Sequence, residues 1–457
     1  MAAIRARRSR LLVAMTVVIA MCPEVASPAS AACAPTLISD APGVVVVDGC
    51  DGSDDEFGAI TVTEDGHVVM VGITRTDGMA KLIVARVTPS GTLDTSLSGD
   101  GVIIDGDVGA DIAPSGVMVT GEGHVVVIGT ARRPDTKTRA FVAVKYTNSG
   151  DRDASFGDNG LATARLQAGG DDSSSGGAMG PDDTVVVGGT TRATSDSPTE
   201  ITAYRYENNG KPDTGFGANG AAATRITAGA GVLAGGLGVA GVDVYQDGTV
   251  VLAGTVQAAQ GVPAQLVLVQ YDTNGAADSA FDKDGIVQSS ADGVPVQDVV
   301  LVLQGDGSIV VAGKAGERTA LARFSSTGER DESFNKDGTA VDLGGEGDII
   351  ALGTTEAGEV LLMGSSRTAD ENSQDLVVLR FDGKGELDTS YADGGTARTK
   401  LSGNRDFHPV SVALGTDHGV AAGGTAGAKG KRDLVVARLD PAGKPETTFG
   451  SAAHRRN

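Results

Sequence analysis

Carboxylate side chains that could bind a metal ion are concentrated at a few places in the chain. Asp54, Asp55 and Glu56 lie in the segment 48–56, which contains five carboxylates. Further aspartates occupy comparable places in later parts of the sequence, at Asp111, Asp172, Asp348 and Asp406. Carboxylate oxygens are preferred ligands of Ca²⁺, so convergence of these side chains would form a calcium site. The alternative is ordinary turn chemistry, in which each aspartate orders its own loop.

Basic side chains in two loops predict an anion-binding patch on the same surface, with solvated loops as the alternative. They are Arg132, Arg133, Lys429, Lys431 and Arg432. His408, which follows Asp406 closely, is the candidate general base, whereas His67 and His124 follow equivalent turns and are interpreted as structural. The chain has no Trp and no G-x-S-x-G, H-E-x-x-H or C-x-x-C motif. This pattern favours binding over catalysis.

The elements that must position these residues repeat with a period of about 60 residues. Each repeat begins with a turn and an apolar run that ends in glycine, as in the segment 65–72 (DGHVVMVG). A strand of the V-A-R-Y type, a glycine turn and a D-x-S-F motif follow. The motif acids are Asp94, Asp153, Asp213, Asp278, Asp331, Asp388 and Glu446. Seven repeats are therefore present.

Each repeat predicts four short strands, which in the first repeat are 58–63, 67–74, 81–88 and 101–105. Glu64-Asp65-Gly66 is typical of a tight hairpin turn, and the β-branched run that follows suits a buried strand. Four antiparallel strands in each of seven repeats predict an all-β, seven-bladed β-propeller. A linear solenoid and a two-domain arrangement are the alternatives.

The ends of the repeat region predict how the ring closes. The last repeat has three strands and the segment 447–450, but it lacks the fourth strand of the earlier repeats. The segment 43–48 occupies the place before repeat one that 101–105 occupies before repeat two. We therefore expect this N-terminal strand to complete the last blade. The predicted domains are a signal peptide (1–31), a linker (32–42), the propeller (43–450) and a C-terminal tail (451–457).

Features that recur in the repeats are expected to build the blades. A basic residue precedes the motif acid by eight positions in pairs such as Arg86 with Asp94 and Arg323 with Asp331. We interpret these pairs as ion pairs within a blade, or as aspartates that cap their own turns. The aromatic residue of the motif, such as Phe156, is expected to pack between blades.

These motifs resemble the delta-60 repeat, which occurs in large exported bacterial proteins and is predicted to form propellers. The resemblance rests on the D-G-x-V-V-V-x-G run, the V-A-R-Y strand and the L-D-x-S-F-G-x-x-G turn, over about residues 43–450. Local departures are Leu97 in place of Phe, Gln270 in place of Arg and Glu446 in place of Asp. The resemblance implies the fold and implies no general activity.

Residues 1–31 have the features of a secretory signal peptide. Four arginines precede the apolar run Leu11–Met21, and Ala29-Ser30-Ala31 fits an A-x-A cleavage site. Twin-arginine export, suggested by Arg7-Arg8, is the alternative route. The apolar run is too short to span a bilayer. We therefore expect a protein without a transmembrane segment that is secreted, periplasmic or at the cell surface.

Cleavage after residue 31 would leave Cys33 and Cys50 as the remaining cysteines. In an oxidising compartment these two predict one disulfide that ties down the new N-terminus. The alternative is lipid modification of Cys33, although Ser30-Ala31-Ala32 lacks the apolar residue that such sites prefer.

The favoured function is a secreted or surface binding or scaffold protein that recognises a protein or saccharide through its loops. The alternative is an extracytoplasmic calcium-dependent hydrolase or lyase with His408 as a possible base. It would need three or more of the aspartates to be directed at one point, among Asp55, Asp111, Asp172, Asp348 and Asp406. Cleavage would remove four Arg and one Glu, a net charge of +3, and would change the formal charge from -22 to -25. Such an acidic surface disfavours nucleic acid. We expect a monomer, with calcium as the candidate cofactor.

Overall fold

The computed structural model describes most of the chain after residue 34. The described residues are 35–49, 53–76, 79–132, 138–164, 166, 170–194, 197–228, 232–233, 236–257, 263–290, 294, 297–315, 318–335, 348–367, 374–399, 407–428 and 430–451. The predicted signal peptide, Cys33, Cys50, Asp406, Arg133 and Lys429 lie outside these ranges. The predictions that concern them stay predictions.

Within the described ranges the secondary structure is almost entirely β. The strands are β1 (Thr36–Ala41), β2 (Val44–Asp48), β3 (Asp54–Val62), β4 (Val68–Thr76), β5 (Met79–Val87), β6 (Val102–Asp105), β7 (Ala110–Val119), β8 (Val125–Arg132), β9 (Arg139–Tyr146), β10 (Leu161–Thr163), β11 (Asp171–Met179), β12 (Val185–Arg192), β13 (Glu200–Tyr206), β14 (Ala221–Thr224), β15 (Thr227–Ala228), β16 (Val232–Leu233), β17 (Gly236–Val244), β18 (Val250–Gln257), β19 (Gln265–Tyr271), β20 (Ile286–Ser289), β21 (Gln297–Leu303), β22 (Ile309–Ala315), β23 (Arg318–Phe324), β24 (Ile349–Thr354), β25 (Val360–Arg367), β26 (Gln374–Phe381), β27 (Thr396–Thr399), β28 (Phe407–Leu414), β29 (Val420–Ala426) and β30 (Asp433–Leu439). A short 3-10 helix spans Pro181–Asp183. No helix in the described part of the chain is long and apolar enough to cross a membrane.

The strands form seven antiparallel blades, which confirms the predicted all-β, seven-bladed β-propeller. Blades 1, 2, 3, 4 and 6 each have four strands, namely β3–β6, β7–β10, β11–β14, β17–β20 and β24–β27. Blade 5 has β21–β23 within the described residues. Blade 7 has the strand order β1-β2-β30-β29-β28, and β15 and β16 form a separate hairpin.

The first strands of the blades form a closed ring. β3 contacts β7, and the contacts continue through β11, β17, β21, β24 and β28 back to β3. This closure excludes the linear solenoid. We call the side with the connections into the first strands and between the second and third strands the loop face. The opposite side, with the hairpins between the first and second strands and the D-x-S-F turns, is the hairpin face.

The hydrophobic core is divided among the seams between blades. The buried residues of the described ranges form seven clusters, one at each seam. In β4, Val69 and Val71 pack toward blade 2, whereas Val68 and Met70 pack toward blade 7. All four side chains are 0% exposed. Because successive side chains of a strand point to opposite faces, the continuous apolar run serves two neighbouring seams at once.

Each apolar run ends in glycine because the first strand bulges toward that position. Every first strand has a register shift opposite the second strand, as between Phe57 and Ala59 in β3. A Cβ atom on Gly72 would lie 2.4 Å from the carbonyl oxygen of Glu56. A side chain at this position is therefore excluded by the close approach of the bulged backbone.

The N-terminal strand β2 completes blade 7, as predicted. Residues Val44–Val47 of β2 pair with Leu434–Ala437 of β30. The predicted linker 32–42 requires a correction, because Thr36–Ala41 forms β1, which pairs with β2 on its outer side. Ile38 is 6% exposed and packs into the cluster between blades 6 and 7. β1 forms here because β2 would otherwise present an unpaired backbone edge.

Candidate functional site

The predicted carboxylates of the loop face are held by nearby protein groups, beginning with Asp54. Its carboxylate accepts hydrogen bonds from Nε and Nη2 of Arg432 at 2.8 and 2.7 Å. The backbone N–H groups of Gly430 and Arg432 donate to it at 3.1 and 3.2 Å. The side-chain hydrogen bonds from Arg432 lower the pKa of Asp54 to about 2, against the opposing effect of burial. Asp54 thus joins blade 1 to blade 7.

Asp55 is enclosed and holds the end of β2 against the start of β3. Its side chain is 0% exposed. It accepts hydrogen bonds from the backbone N–H of Gly49 at 3.0 Å and from Oγ of Ser53 at 2.8 Å. Burial raises the pKa of Asp55, because removal from water favours the neutral acid. Its role in the described structure is to fix the closing strand.

The other predicted carboxylates within the described ranges also have partners. The pairs are Glu56 with Arg75 (2.9 Å), Asp111 with Arg132 (2.8 Å), Asp172 with the hydroxyl of Thr191 (2.5 Å) and Asp348 with Lys314 (3.2 Å). The part of the chain that the structure describes contains no group of three or more His, Cys, Asp or Glu side chains arranged to hold a metal ion. The calcium site and the calcium-dependent enzyme stay predictions, because Asp406 lies outside the described residues and the ligands within them do not converge.

The strand register explains why acids recur at the starts of the first strands. Asp171 occupies in blade 3 the place that Asp54 occupies in blade 1. Its Oδ1 accepts a hydrogen bond of 2.9 Å from the backbone N–H of Arg139, which corresponds to Arg432 in the preceding blade. Both aspartates therefore connect a first strand to the third strand of the preceding blade. The sequence could not show this role, because each partner lies in another repeat.

Two of the basic residues in the predicted anion patch form ion pairs with acidic side chains. Arg432 is paired with Asp54, and Arg132 is paired with Asp111. Lys431 is exposed to solvent. His408 is an exposed residue of β28, opposite Thr425 of β29. The remaining members of the patch and the acid beside His408 lie outside the described residues, so both sites stay predictions.

The recurring basic–acidic pairs build the hairpin face, as predicted. Nε of Arg86 donates to Asp94 at 2.6 Å, and the backbone N–H and hydroxyl of Ser96 donate at 3.0 and 2.7 Å. Although burial favours the neutral acid, these hydrogen bonds lower the pKa of Asp94. The equivalent pairs are Lys145–Asp153 (3.5 Å), Arg205–Asp213 (2.7 Å), Gln270–Asp278 (2.9 Å), Arg323–Asp331 (2.7 Å), Arg380–Asp388 (2.7 Å) and Arg438–Glu446 (2.9 Å).

These pairs also reach across the seams, where the motif aromatics pack as predicted. Nη2 of Arg205 donates to the carbonyl of Thr273 in blade 4 at 2.8 Å. The guanidinium carbon lies 4.4 Å from the ring centroid of Phe216, which is fully buried in the cluster between blades 3 and 4. Arginine therefore links its own turn, the aromatic anchor and the next blade.

A cleft of about 710 Å³ lies on the hairpin face at the seam between blades 1 and 2. Its walls are the hairpins 61–67 and 119–123, the motif turn at Asp94 and Ser96, and the blade 2 turn at Asn148 and Ser149. Sequence reasoning missed this cleft, because its residues are separated in the chain and belong to ordinary hairpins. Their only distinguishing signal is that both hairpins carry histidine at the same place.

His67 lines this cleft and faces the acids of its own blade. Nδ1 of His67 lies 3.0 Å from Asp65, and Nε2 lies 3.6 Å from Asp94. The equivalent His124 lies 3.4 Å from Asp153. The hydrogen bonds from Thr63 and His67 lower the pKa of Asp65, so this rim carboxylate is ionised at neutral pH. The cleft thus offers charged and hydroxyl groups beside apolar strand surface to a small polar molecule.

Four segments of the chain match the family described as "Domain of unknown function (DUF5122) beta-propeller". They are residues 63–97, 180–216, 246–281 and 304–334, in blades 1, 3, 4 and 5. Each match runs from the first hairpin to the last residue of the D-x-S-F motif. No curated protein matches the sequence.

Several solved structures align with most of the chain at low sequence identity. A protein of unknown function from Dyadobacter fermentans shares 10% identity over 89% of this chain and 97% of that chain, with a TM-score of 0.42. Sqt1 from Chaetomium thermophilum shares 14% identity over 89% and 98%, with a TM-score of 0.44. The polysaccharide lyase Uly1 shares 10% over 84% and 89%, with a TM-score of 0.45. Similarity at this level gives no argument about activity. The family matches and the seven blades together show that the chain is a β-propeller repeat protein.

Proposed function

We propose that this protein is an exported, non-catalytic binding or scaffold propeller of the delta-60 type, which recognises a protein or saccharide through its loop face. The observation that carries the proposal is a contrast between the two faces. On the hairpin face the same turn, ion pair and seam contacts recur from blade to blade. The loop-face segments differ from blade to blade in length and chemistry.

The segments between the second and third strands illustrate this difference. Blade 1 has a short connection between Thr76 and Met79, whereas blade 2 has the basic sequence RRPDTKTR at 132–139. Blade 4 has the uncharged sequence QAAQGVPAQ at 257–265. A rigid scaffold that presents unlike loops on one side is the usual architecture of a binding surface. The proposed ligand therefore contacts loops that differ between blades, and not a site that is repeated in every blade.

The proposed location is outside the cytoplasm. The basic, apolar and A-x-A features of residues 1–31 support export. The formal charge of -22 opposes binding to nucleic acid, because phosphate would be repelled. Expression of the full chain in a secreting bacterial host, followed by N-terminal sequencing of the released protein, should give a start at Ala32. A protein that stays in the cytoplasm and still begins at Met1 would contradict the export proposal.

The binding proposal is tested with the processed protein and a loop variant. In the variant, residues 133–137 are replaced by Gly-Glu, the sequence of the short blade 5 loop at 316–317. Both proteins are immobilised and exposed to a glycan array and to cell-surface proteins. We expect a ligand that the wild type retains and the loop variant loses, at equal melting temperature. Equal retention by both would contradict loop-face recognition, and release of reducing ends from a bound glycan would contradict the absence of catalysis.

A further inference from the structure

One position in each blade can carry a side chain that reaches the first hairpin of the next blade. This residue follows the first strand, and its N–H closes the hairpin by donating to a carbonyl four residues later. Thr63 donates to His67 at 2.9 Å, Tyr245 to Thr249 at 2.8 Å and Gln304 to Ser308 at 2.8 Å. The three residues are therefore structurally equivalent, although their side chains differ greatly in length.

The long side chains at this position reach the hairpin of the next blade. Oη of Tyr245 donates to the carbonyl of Gly307 at 3.2 Å, and Nε2 of Gln304 donates to the carbonyl of Gly358 at 3.0 Å. At two other seams an arginine of the third strand makes the equivalent bridge. These bonds are Arg205 to Gly248 at 3.4 Å and Arg438 to Gly66 at 3.1 Å.

Among the described residues, no side chain makes this bridge between blades 1 and 2, nor at the seams that follow the equivalent Thr120 and Thr355. Thr63 is too short to cross the seam between blades 1 and 2, and its hydroxyl bonds to Asp65 and to the carbonyl of His67. Nη2 of Arg86 donates to Oγ of Ser96 at 2.7 Å and to the carbonyl of Asn148 in blade 2 at 3.1 Å, and not to the hairpin at Gly123. The carbonyl of Gly123, which corresponds to Gly307, accepts no hydrogen bond from the described residues. The cleft of about 710 Å³ lies here, and it corresponds to the place that the Tyr245 ring occupies at the seam between blades 4 and 5.

The walls of this cleft suit a ring that has an apolar face and a hydroxylated edge. Val119 provides apolar surface, and Thr120 and Ser149 provide hydroxyl groups. At the rim, Glu64 is exposed and Asp65 is 71% exposed. Carboxylates at the rim accept hydrogen bonds from sugar hydroxyls and repel anionic sugars. The volume lies within the range of small-molecule sites, roughly 300–1,000 Å³.

We propose that the cleft between blades 1 and 2 binds a neutral pyranose unit of a saccharide. One sugar hydroxyl donates to the carbonyl of Gly123, as the phenol of Tyr245 does to Gly307, and others donate to Asp65 and Glu64. The C–H face of the ring packs on Val119. The cleft lies on the face opposite the loops, so this site does not depend on the proposed loop-face function.

The test introduces into the cleft the tyrosine side chain that blade 4 has at the equivalent position. Thr63→Tyr places a tyrosine where Tyr245 stands in blade 4, with its hydroxyl toward Gly123. Isothermal titration uses cello-, malto-, manno- and galacto-oligosaccharides as probes, with oligogalacturonate as the charged comparison. We expect at least one neutral probe to bind, and Thr63→Tyr to weaken its affinity by about tenfold or more without lowering the melting temperature.

Two further variants keep the outcome interpretable. Asp65→Ala removes an exposed rim acid and should weaken the affinity for the same probe. This variant provides the test in case Thr63→Tyr does not fold. Thr327→Tyr adds a ring at an exposed hairpin-face threonine of blade 5 and should leave the affinity unchanged. The proposal is overturned if no neutral probe binds, if Thr63→Tyr retains the affinity, or if oligogalacturonate binds equally well. Binding of N-acetyltyrosinamide in place of the sugars would overturn it in favour of a protein tyrosine as the occupant.

Discussion

Asp54 and Arg432 are 378 residues apart in the chain and form a two-pronged ion pair across the closing seam. The two side-chain hydrogen bonds measure 2.8 and 2.7 Å. On the opposite face, the backbone N–H of Gly450 donates to the carbonyl of Ser90 at 2.9 Å. Between these contacts β2 pairs with β30. Side-chain or backbone hydrogen bonds therefore close the ring at both faces, and strand pairing between β2 and β30 closes it inside blade 7.

Arg432→Gln should destabilise the ring at neutral pH and have less effect in acid. The variant leaves Asp54 partly buried without its cation, at a cost of about 1–3 kcal/mol. Because the folded-state pKa of Asp54 is lowered to about 2 from 3.8, the contribution of the pair is complete above about pH 4 and is lost as the pH falls through 2. Urea unfolding of both proteins at pH 7, 4 and 2, followed by circular dichroism, measures this difference.

Arg132→Gln is the matched control for this prediction. Arg132 pairs with Asp111 at 2.8 Å within one blade, and both side chains are about half exposed or more, at 47% and 63%. An exposed pair contributes little, so the change should stay within about 0.5 kcal/mol. Equal losses in the two variants would show that Asp54 and Arg432 have no special part in closure.

A charge in β2 should open the ring. Val45 is 0% exposed and lies with Phe57 and Phe449 in the cluster between blades 7 and 1. Val45→Asp buries a carboxylate without a partner, and we expect a loss of about 3 kcal/mol or more. The measurement is urea unfolding together with limited proteolysis. Val410→Asp, at a β28 residue that is 43% exposed, is the control. Similar protease resistance of Val45→Asp and wild type would mean that β2 is dispensable.

The sequence predicted contacts that repeat at a constant spacing. The eight-residue interval between Arg86 and Asp94 recurs along the chain, so pairing within a blade follows from the pattern alone. The apolar run and its terminal glycine recur in the same way and identify the second strand. The closing role of β2 was predictable because the strand missing from one end of the repeat region is present at the other.

The remaining contacts depend on register between repeats, which no local spacing reveals. Asp54 was predicted as a metal ligand, yet its partner is Arg432 of another blade. Strand β1 was missed because its residues belong to no repeat. The sequence pattern also did not predict the cleft. Thr63 lies within a repeat and has no unusual feature of its own. Its importance appears only when it is compared with Tyr245, which occupies the equivalent position at another seam.

Asp55→Asn should change the pH dependence of stability in the direction opposite to Arg432→Gln. Burial raises the folded-state pKa of Asp55 above 3.8, so the folded protein binds the proton more tightly than the unfolded chain. The resulting stabilisation is present below about pH 4 and is lost as the pH rises through the raised pKa. The stability of wild type relative to Asp55→Asn should therefore fall as the pH rises above 4. Asp107→Asn, at an exposed residue of the same face, is the control for removal of a carboxylate, and the change in the free energy of unfolding should stay within about 0.5 kcal/mol. A pH-independent difference for Asp55→Asn would contradict this account.

Arg323→Gln should be tolerated better than Arg323→Ala, because blade 4 already uses glutamine at this place. Nε2 of Gln270 donates to Asp278 at 2.9 Å, as Arg323 does to Asp331. Alanine leaves the acid without that partner, so we expect a further loss of about 1 kcal/mol relative to glutamine.

The pKa of Asp331 gives a second readout for the same pair. The hydroxyl of Ser333, and then the guanidinium of Arg323, lower this pKa to about 2 against the effect of burial. In Arg323→Ala the pKa should rise but stay below 3.8, because the hydrogen bonds from Ser333 remain. Carbon-detected NMR titration of the side-chain carboxyl measures it, with urea unfolding for the stability difference. If alanine and glutamine have equal effects on both quantities, the arginine acts through its contacts with Phe334 and Gly383 and not through the acid.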